Sequence, residues 1–211
     1  MTETFTPPEP ESVIKVSLLT GFLGSGKTTL LNALVKRPDM GHTAVLVNEF
    51  GEIGIDHHLI EKVDEDTILL NSGCLCCTVR DDLARALHEI FLKRARGDIP
   101  PIERVLIETT GLADPAPVIH TLMTDRIIVN RYSLDAIVTT VDAVNGDLQF
   151  DQYPESIKQA AVADRLLITK CDMAKPEAIA ALERGLRDLN PGAPIFRVSN
   201  GQIEPAKLFD A

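Results

Sequence analysis

Apolar and polar positions along the chain fall into short alternating blocks. Residues 13–19, 43–47, 67–70, 102–107, 134–141, 165–168 and 195–198 are runs rich in Val, Ile and Leu, and each reads as a strand. Between them lie longer stretches with helical spacing. Residues 80–96 set Leu83, Leu87, Ile90 and Phe91 on one stripe, and 29–35 and 176–189 are also helical in pattern. Asp114-Pro115 opens a further helix, because Asp caps well and Pro suits the first turn. Strands alternating with helices predict βαβ units: an α/β fold with a mostly parallel central sheet flanked by helices on both faces. Each polar motif follows a strand directly, which puts all of them at the sheet edge where open α/β folds bind ligands.

The first of these motifs is Gly21-Phe22-Leu23-Gly24-Ser25-Gly26-Lys27-Thr28, which matches G-x-x-x-x-G-K-[ST] in full. A strand delivers it and a helix leaves it, so the context is that of a P-loop NTPase. Glycines let backbone N–H groups turn inward around a phosphate. Gly24, Ser25, Gly26, Lys27, Thr28 and Thr29 are the expected nucleotide-binding residues. Lys27 brings positive charge to the β- and γ-phosphates, the Thr28 hydroxyl can hold Mg²⁺, and the helix N-terminus adds its partial charge.

Two later strand ends extend the site. Thr169-Lys170-Cys171-Asp172 resembles the Asn-Lys-x-Asp motif with which GTPases read guanine. The Asp172 carboxylate can accept from N1–H and the N2 amino group, and the Lys170 stem can lie along the base. Thr169 retains one hydroxyl for bracing the loop, and Ser199, in the next strand-end loop, is a weaker candidate for guanine contact. Glu108-Thr109-Thr110-Gly111 stands where other GTPases carry Asp-x-x-Gly. Glu108 is a candidate Mg²⁺ ligand, directly or through water, and Gly111 a sensor of the γ-phosphate. Lys27, Thr28, Glu108 and Gly111 are thus the expected catalytic set. Asp56, in the polar loop 48–56, reads equally as a second Mg²⁺ or γ-phosphate contact and as a helix cap.

Composition narrows the partners. The 211 residues carry 31 acidic and 21 basic side chains, a net charge of −10, which disfavours general binding to nucleic acid or anionic lipid. No apolar run is long enough for a membrane span. Residues 1–12 are polar and hold Pro7, Pro8 and Pro10, unlike a signal peptide, and read as a disordered leader ahead of one domain over 13–211. A cytoplasmic location is expected.

Three of the four cysteines are Cys74, Cys76 and Cys77. Adjacent cysteines form no unstrained disulfide, and the polar flank of Asn71, Ser72, Gly73 and Thr78 is a poor place for a core. Thiolates at this spacing suit Zn²⁺, or Co²⁺ in the same tetrahedral arrangement. Either all three bind, with water, Glu52 or a partner's residue in the fourth position, or only two do. Cys171 reads as a small filler. His57, His58, His42, His88 and His120 read as isolated surface residues.

Taken in order, Gly-Phe-Leu-Gly-Ser-Gly-Lys-Thr-Thr, Asn-Glu-Phe-Gly, Gly-Cys-Leu-Cys-Cys, Glu-Thr-Thr-Gly-x-Ala-Asp-Pro and Thr-Lys-x-Asp resemble the CobW family of GTPases, close to its YjiA-like bacterial members. The family is kin to the GTPases that insert nickel into urease and hydrogenase. The resemblance implies slow hydrolysis of GTP to GDP, coupled to delivery of Zn²⁺ or Co²⁺ to a metalloprotein client. It carries metal binding onto Cys74, Cys76 and Cys77, and leaves room for a homodimer that depends on metal or nucleotide. No arginine finger and no Gln stands out in the sequence to orient the attacking water, so intrinsic turnover should be slow. Family members usually continue into a smaller C-terminal domain, often after a His-rich linker. This sequence stops at Leu208-Phe209-Asp210-Ala211, and the expectation is an isolated GTPase domain. Two other readings share these motifs: a nucleotide-binding module with a structural zinc, and a P-loop small-molecule kinase. The kinase would leave Thr169–Asp172 and the cysteines without a purpose.

Overall fold

A computed structural model describes residues 13–48, 68–71 and 79–209. Seven strands form one sheet: β1 (Ile14–Gly21), β2 (Thr43–Asn48), β3 (Ile68–Asn71), β4 (Arg104–Thr109), β5 (Tyr132–Asp142), β6 (Arg165–Thr169) and β7 (Ile195–Arg197). Their order is β3-β2-β4-β1-β5-β6-β7, and every neighbouring pair is parallel. The expected mostly parallel sheet is therefore present. Parallel strands buried on both faces need unbroken apolar runs rather than alternation, and β1 is buried from Val16 through Gly21.

Helices cover both faces. On one, α1 (Lys27–Val35) packs Leu30, Leu31 and Leu34 against Leu19, Val45, Leu106 and Val138, joined by Leu208 and Phe209 from the end of the chain. On the other, α2 (Val79–Arg96) and α3 (Ala116–Thr124) bury Leu87, Ile90, Val118 and Leu122 over Leu18, Val105 and Ile107. The capping expectation holds, since Asp114 accepts the Ala116 amide at 2.9 Å. Farther along that face, α6 (Pro176–Leu189) sets Ile179, Leu182 and Leu186 against Leu166 and Ile168. Two helices had no signal in the apolar pattern, α4 (Gly146–Gln152) and α5 (Pro154–Ala161). Both are short, polar and separated by Tyr153 alone.

The pleat decides which side chains reach the phosphate loop. Leu106 and Glu108 share the α1 face, so the strand that buries a leucine beneath α1 delivers a carboxylate to its first turn two residues later. Val105, Ile107 and Thr109 face the other way, and Thr109 Oγ1 donates to Thr20 Oγ1 at 2.9 Å, tying the ends of β4 and β1 together.

Candidate nucleotide site

The loop between β1 and α1 is closed on itself by Lys27. Its Nζ donates to the Gly21 carbonyl at 2.9 Å and the Phe22 carbonyl at 3.1 Å, and the residue is only 7% exposed. Burial pulls its pKa down to about 8, against the pull of the Glu108 carboxylate, which favours the charged form. Gly26 precedes α1 with φ of 90°, a left-handed conformation that glycine adopts without strain. The buried Ser25 hydroxyl lies 2.6 Å from Thr140 Oγ1, which anchors the loop to β5. Thr29, by contrast, is exposed on the first turn of α1.

Thr28 Oγ1 donates to Glu108 Oε1 at 2.9 Å. A hydroxyl and a carboxylate are the hard oxygen donors Mg²⁺ prefers, and here they meet at the start of α1. The donor set fits the cation. Gly111, three residues beyond Glu108, lies against the phosphate loop so closely that any side chain would overlap the backbone N and Cα of Leu23. The Glu108–Gly111 segment is thus in direct contact with the loop it was expected to serve.

The segment expected to read the base is tied to the same loop. Thr169 Oγ1 donates to the Ser25 carbonyl at 2.7 Å and reaches the Val141 carbonyl at 3.2 Å. This is the bracing role foreseen for that hydroxyl. Lys170 has φ of 55°, and its Nζ donates to Asp142 Oδ2 at 2.7 Å. Asp142 also accepts from Asn145 Nδ2 at 2.9 Å and from the Val144 amide at 2.8 Å. Burial pushes the Asp142 carboxyl up, but its bonds from Lys170, Asn145 and Val144 outweigh that and hold it below the usual range. Asp172 is exposed. Ser199 is half-buried, in a loop whose Gly201 packs on Thr29 and Leu30 of α1.

Three residues near the site carried no functional reading in the sequence. Asp142 stands at the end of β5, Gln159 lies on the unforeseen α5, and Phe22 is an unassigned position within the phosphate-loop motif. The Phe22 ring sits 4.6 Å from that of Tyr153, at the head of α5. Cys171 packs in the α6 cluster with Sγ donating to the Ile168 carbonyl at 3.2 Å, as a filler should. His42 and His88 are a correction to their reading as surface residues: both are half-buried, with Nδ1 enclosed and no hydrogen-bond partner among the described residues. The reason is position, His42 in the turn entering β2 and His88 beside the buried Leu87 of α2. Cys74, Cys76, Cys77, Glu52, Asp56, His57 and His58 lie outside the described residues. Among the described residues no cluster of three or more His, Cys, Asp or Glu could hold a metal, and no helix could cross a membrane.

Comparison with known proteins agrees with this geometry. The chain is 40% identical over 197 residues to the zinc chaperone YjiA of Escherichia coli, covering 93% of this chain and 61% of that protein. It is 34% identical over 198 residues to zinc-regulated GTPase metalloprotein activator 1 of Schizosaccharomyces pombe, covering 90% of this chain and 47% of that one. The chain thus spans about half to three-fifths of these relatives. Its structure is similar to the crystal structure of Zn(II)-bound YjiA GTPase from E. coli, with a TM-score of 0.75 at 35% identity over 94% of this chain and 62% of that one. Nickel-bound HypB from Helicobacter pylori shares the fold, with a TM-score of 0.59 at 21% identity over 90% of this chain and 80% of that one. Residues 15–197 match the family described as CobW/HypB/UreG, nucleotide-binding domain, and the chain belongs to that family.

Proposed function

We propose that this domain hydrolyses GTP to GDP and phosphate and uses that step to control the binding and delivery of Zn²⁺ or Co²⁺ to a client metalloprotein. The observation that carries the GTPase part is the 2.9 Å contact of Thr28 with Glu108 at the mouth of the Lys27 loop. It joins a phosphate-binding loop to a carboxylate at the neighbouring strand end, the arrangement that nucleotide switches use.

Water attacks the γ-phosphorus, and the bond from that phosphorus to the β–γ bridging oxygen breaks. The Thr28 hydroxyl, with Glu108 as direct or water-mediated ligand, would hold Mg²⁺, which when bound would supply positive charge to the reacting phosphates. Lys27 contributes its ammonium, Gly24 to Thr29 their backbone N–H groups, and the Gly111 N–H reads the γ-phosphate. Asp172 and Lys170 select guanine, with Ser199 as a further contact. No described side chain is assigned to the attacking water, in keeping with slow intrinsic turnover.

The metal part rests on Cys74-Leu75-Cys76-Cys77 and on the names of the two relatives, a zinc chaperone and a zinc-regulated GTPase metalloprotein activator. The cysteines follow β3, next to β2 in the sheet, and β2 in turn borders β4, which carries Glu108. Phosphate state and thiolate geometry can be coupled through these neighbouring strands, with Asp56 as a further Mg²⁺ ligand and Glu52 as a further ligand to the transition metal, both in the sequence between β2 and β3. Thermodynamic reciprocity then requires metal to tighten GTP binding by the factor that GTP tightens metal binding. A Lys27→Ala chain that hydrolysed GTP at the wild-type rate would contradict the site assignment; a loss of turnover on the order of 100-fold or more is expected.

A further inference from the structure

Resting on the GTPase reading, we propose that Gln159 is the residue that positions Gly111 for sensing the γ-phosphate, and so sets discrimination between GTP and GDP. Gln159 is fully buried, on a helix that touches the site at two places. The head of α5 meets the phosphate loop through Tyr153 and Phe22, while Lys158 pairs with Asp114 at 3.2 Å just past Gly111. From the same turn, Gln159 Nε2 donates to the Gly111 carbonyl at 3.1 Å and to the Ala113 carbonyl at 3.0 Å.

Two carbonyls flanking one end of the amide define which end it is. An oxygen there would face two oxygens, so Nε2 occupies that place and Oε1 points away. Oε1 is buried with no hydrogen-bond partner among the described residues. A Leu or Met would fill the same volume without leaving a buried acceptor unpaired, so packing gives no reason for an amide here. Holding the 111–113 backbone does.

Gly111 is clamped from both sides. The Leu23 backbone blocks one side of its Cα, and Gln159 fixes its carbonyl. Gln159 thus holds the peptide plane that follows Gly111 while Leu23 closes one side of its Cα, and the two together restrict the backbone angles on which the direction of the Gly111 N–H depends. Gln159 acts through Gly111 as a positioning residue. It is anchored in turn by β5, since Thr139 Oγ1 donates to the Gln159 carbonyl at 2.8 Å.

The test compares Mg·GTPγS and Mg·GDP binding to the full 211-residue chain, with and without Gln159→Met. The expected result is a roughly tenfold loss for GTPγS with GDP affinity unchanged, the scale of two lost hydrogen bonds. Equal weakening of both nucleotides, or none, would mean a purely structural amide and overturn the proposal. Should the variant fail to fold, amide hydrogen exchange in the wild-type chain decides. Slower exchange over 111–113 with GTPγS than with GDP supports the clamp; identical exchange overturns it. A wild-type chain that bound neither nucleotide would overturn the GTPase reading itself, a different failure from an unchanged GTPγS-to-GDP ratio.

Discussion

Thr169 Oγ1 lies 2.7 Å from the carbonyl oxygen of Ser25, and 144 residues separate the two in sequence. The bond joins the segment proposed to read the base to the phosphate loop, which would hold the two ends of a bound nucleotide at a fixed spacing. Replacing Thr169 with Val keeps the shape and removes the donor from two buried carbonyls. The expected cost is about 1–3 kcal/mol in urea denaturation, with weaker binding of a fluorescent GDP. Thr169→Ser should keep most of both.

Asp142 holds Lys170 against the end of β5. With Asp142 1% exposed and Lys170 partly open to solvent, losing the pair should cost about 1–3 kcal/mol. Asp142→Asn should also weaken GDP binding, because the Lys170 stem loses its anchor. The pH dependence has a definite sign. The Asp142 carboxyl is held below its ordinary range, so its contribution is present above that range and is lost as pH falls through the folded value. Wild-type stability should therefore fall as pH drops from the ordinary carboxylate range through the folded value, and that part of the slope should be missing in Asp142→Asn.

Lys27 titrates in reach of experiment. In the free protein its pKa is about 8, and phosphate oxygens favour the charged form. Binding therefore takes up a proton above pH 8. GDP affinity should be flat between pH 6.5 and 7.5, then fall by up to about tenfold per pH unit above 8. Titration calorimetry in two buffers of different ionisation enthalpy would detect the proton directly. Affinity that stays flat to pH 9.5 would contradict the burial of this ammonium.

Glu108→Gln separates cation binding from folding. The Gln side chain can still accept from Thr28 Oγ1, so the melting temperature should move little. Its neutral oxygen is a poorer partner for Mg²⁺ or its water shell, and the Mg²⁺ concentration for half-maximal GTP turnover should rise about 10- to 100-fold. An unchanged Mg²⁺ dependence would remove Glu108 from the cation site.

How much of this was legible in sequence follows from the range of each interaction. The strand, loop and helix around Lys27 are local, and their pattern announced them. Glu108 was legible because its motif ends a strand, and Thr169 because one hydroxyl at that position has a bracing use. The helices α4 and α5 were not legible: Gly146 and Pro154 bound two short polar stretches whose apolar residues make no long stripe. Gln159 could not be singled out, since the carbonyls that define its role lie more than 40 residues away. The same holds for Asp142, whose partner Lys170 comes from the next strand end. His42 and His88 show that an isolated histidine in a polar context can still be half-enclosed by neighbours that the sequence does not place beside it.

GTP is proposed to govern a thiolate metal site. The most direct test is a Zn²⁺ and Co²⁺ competition titration against a chromophoric chelator, run first with Mg·GTPγS and then with Mg·GDP, alongside a chain with Cys74, Cys76 and Cys77 changed to Ser. Metal affinity should be about five- to 150-fold tighter in the GTPγS state, and lost when the three cysteines are replaced. Equal affinity in the two nucleotide states would contradict it and leave a GTPase with a structural metal.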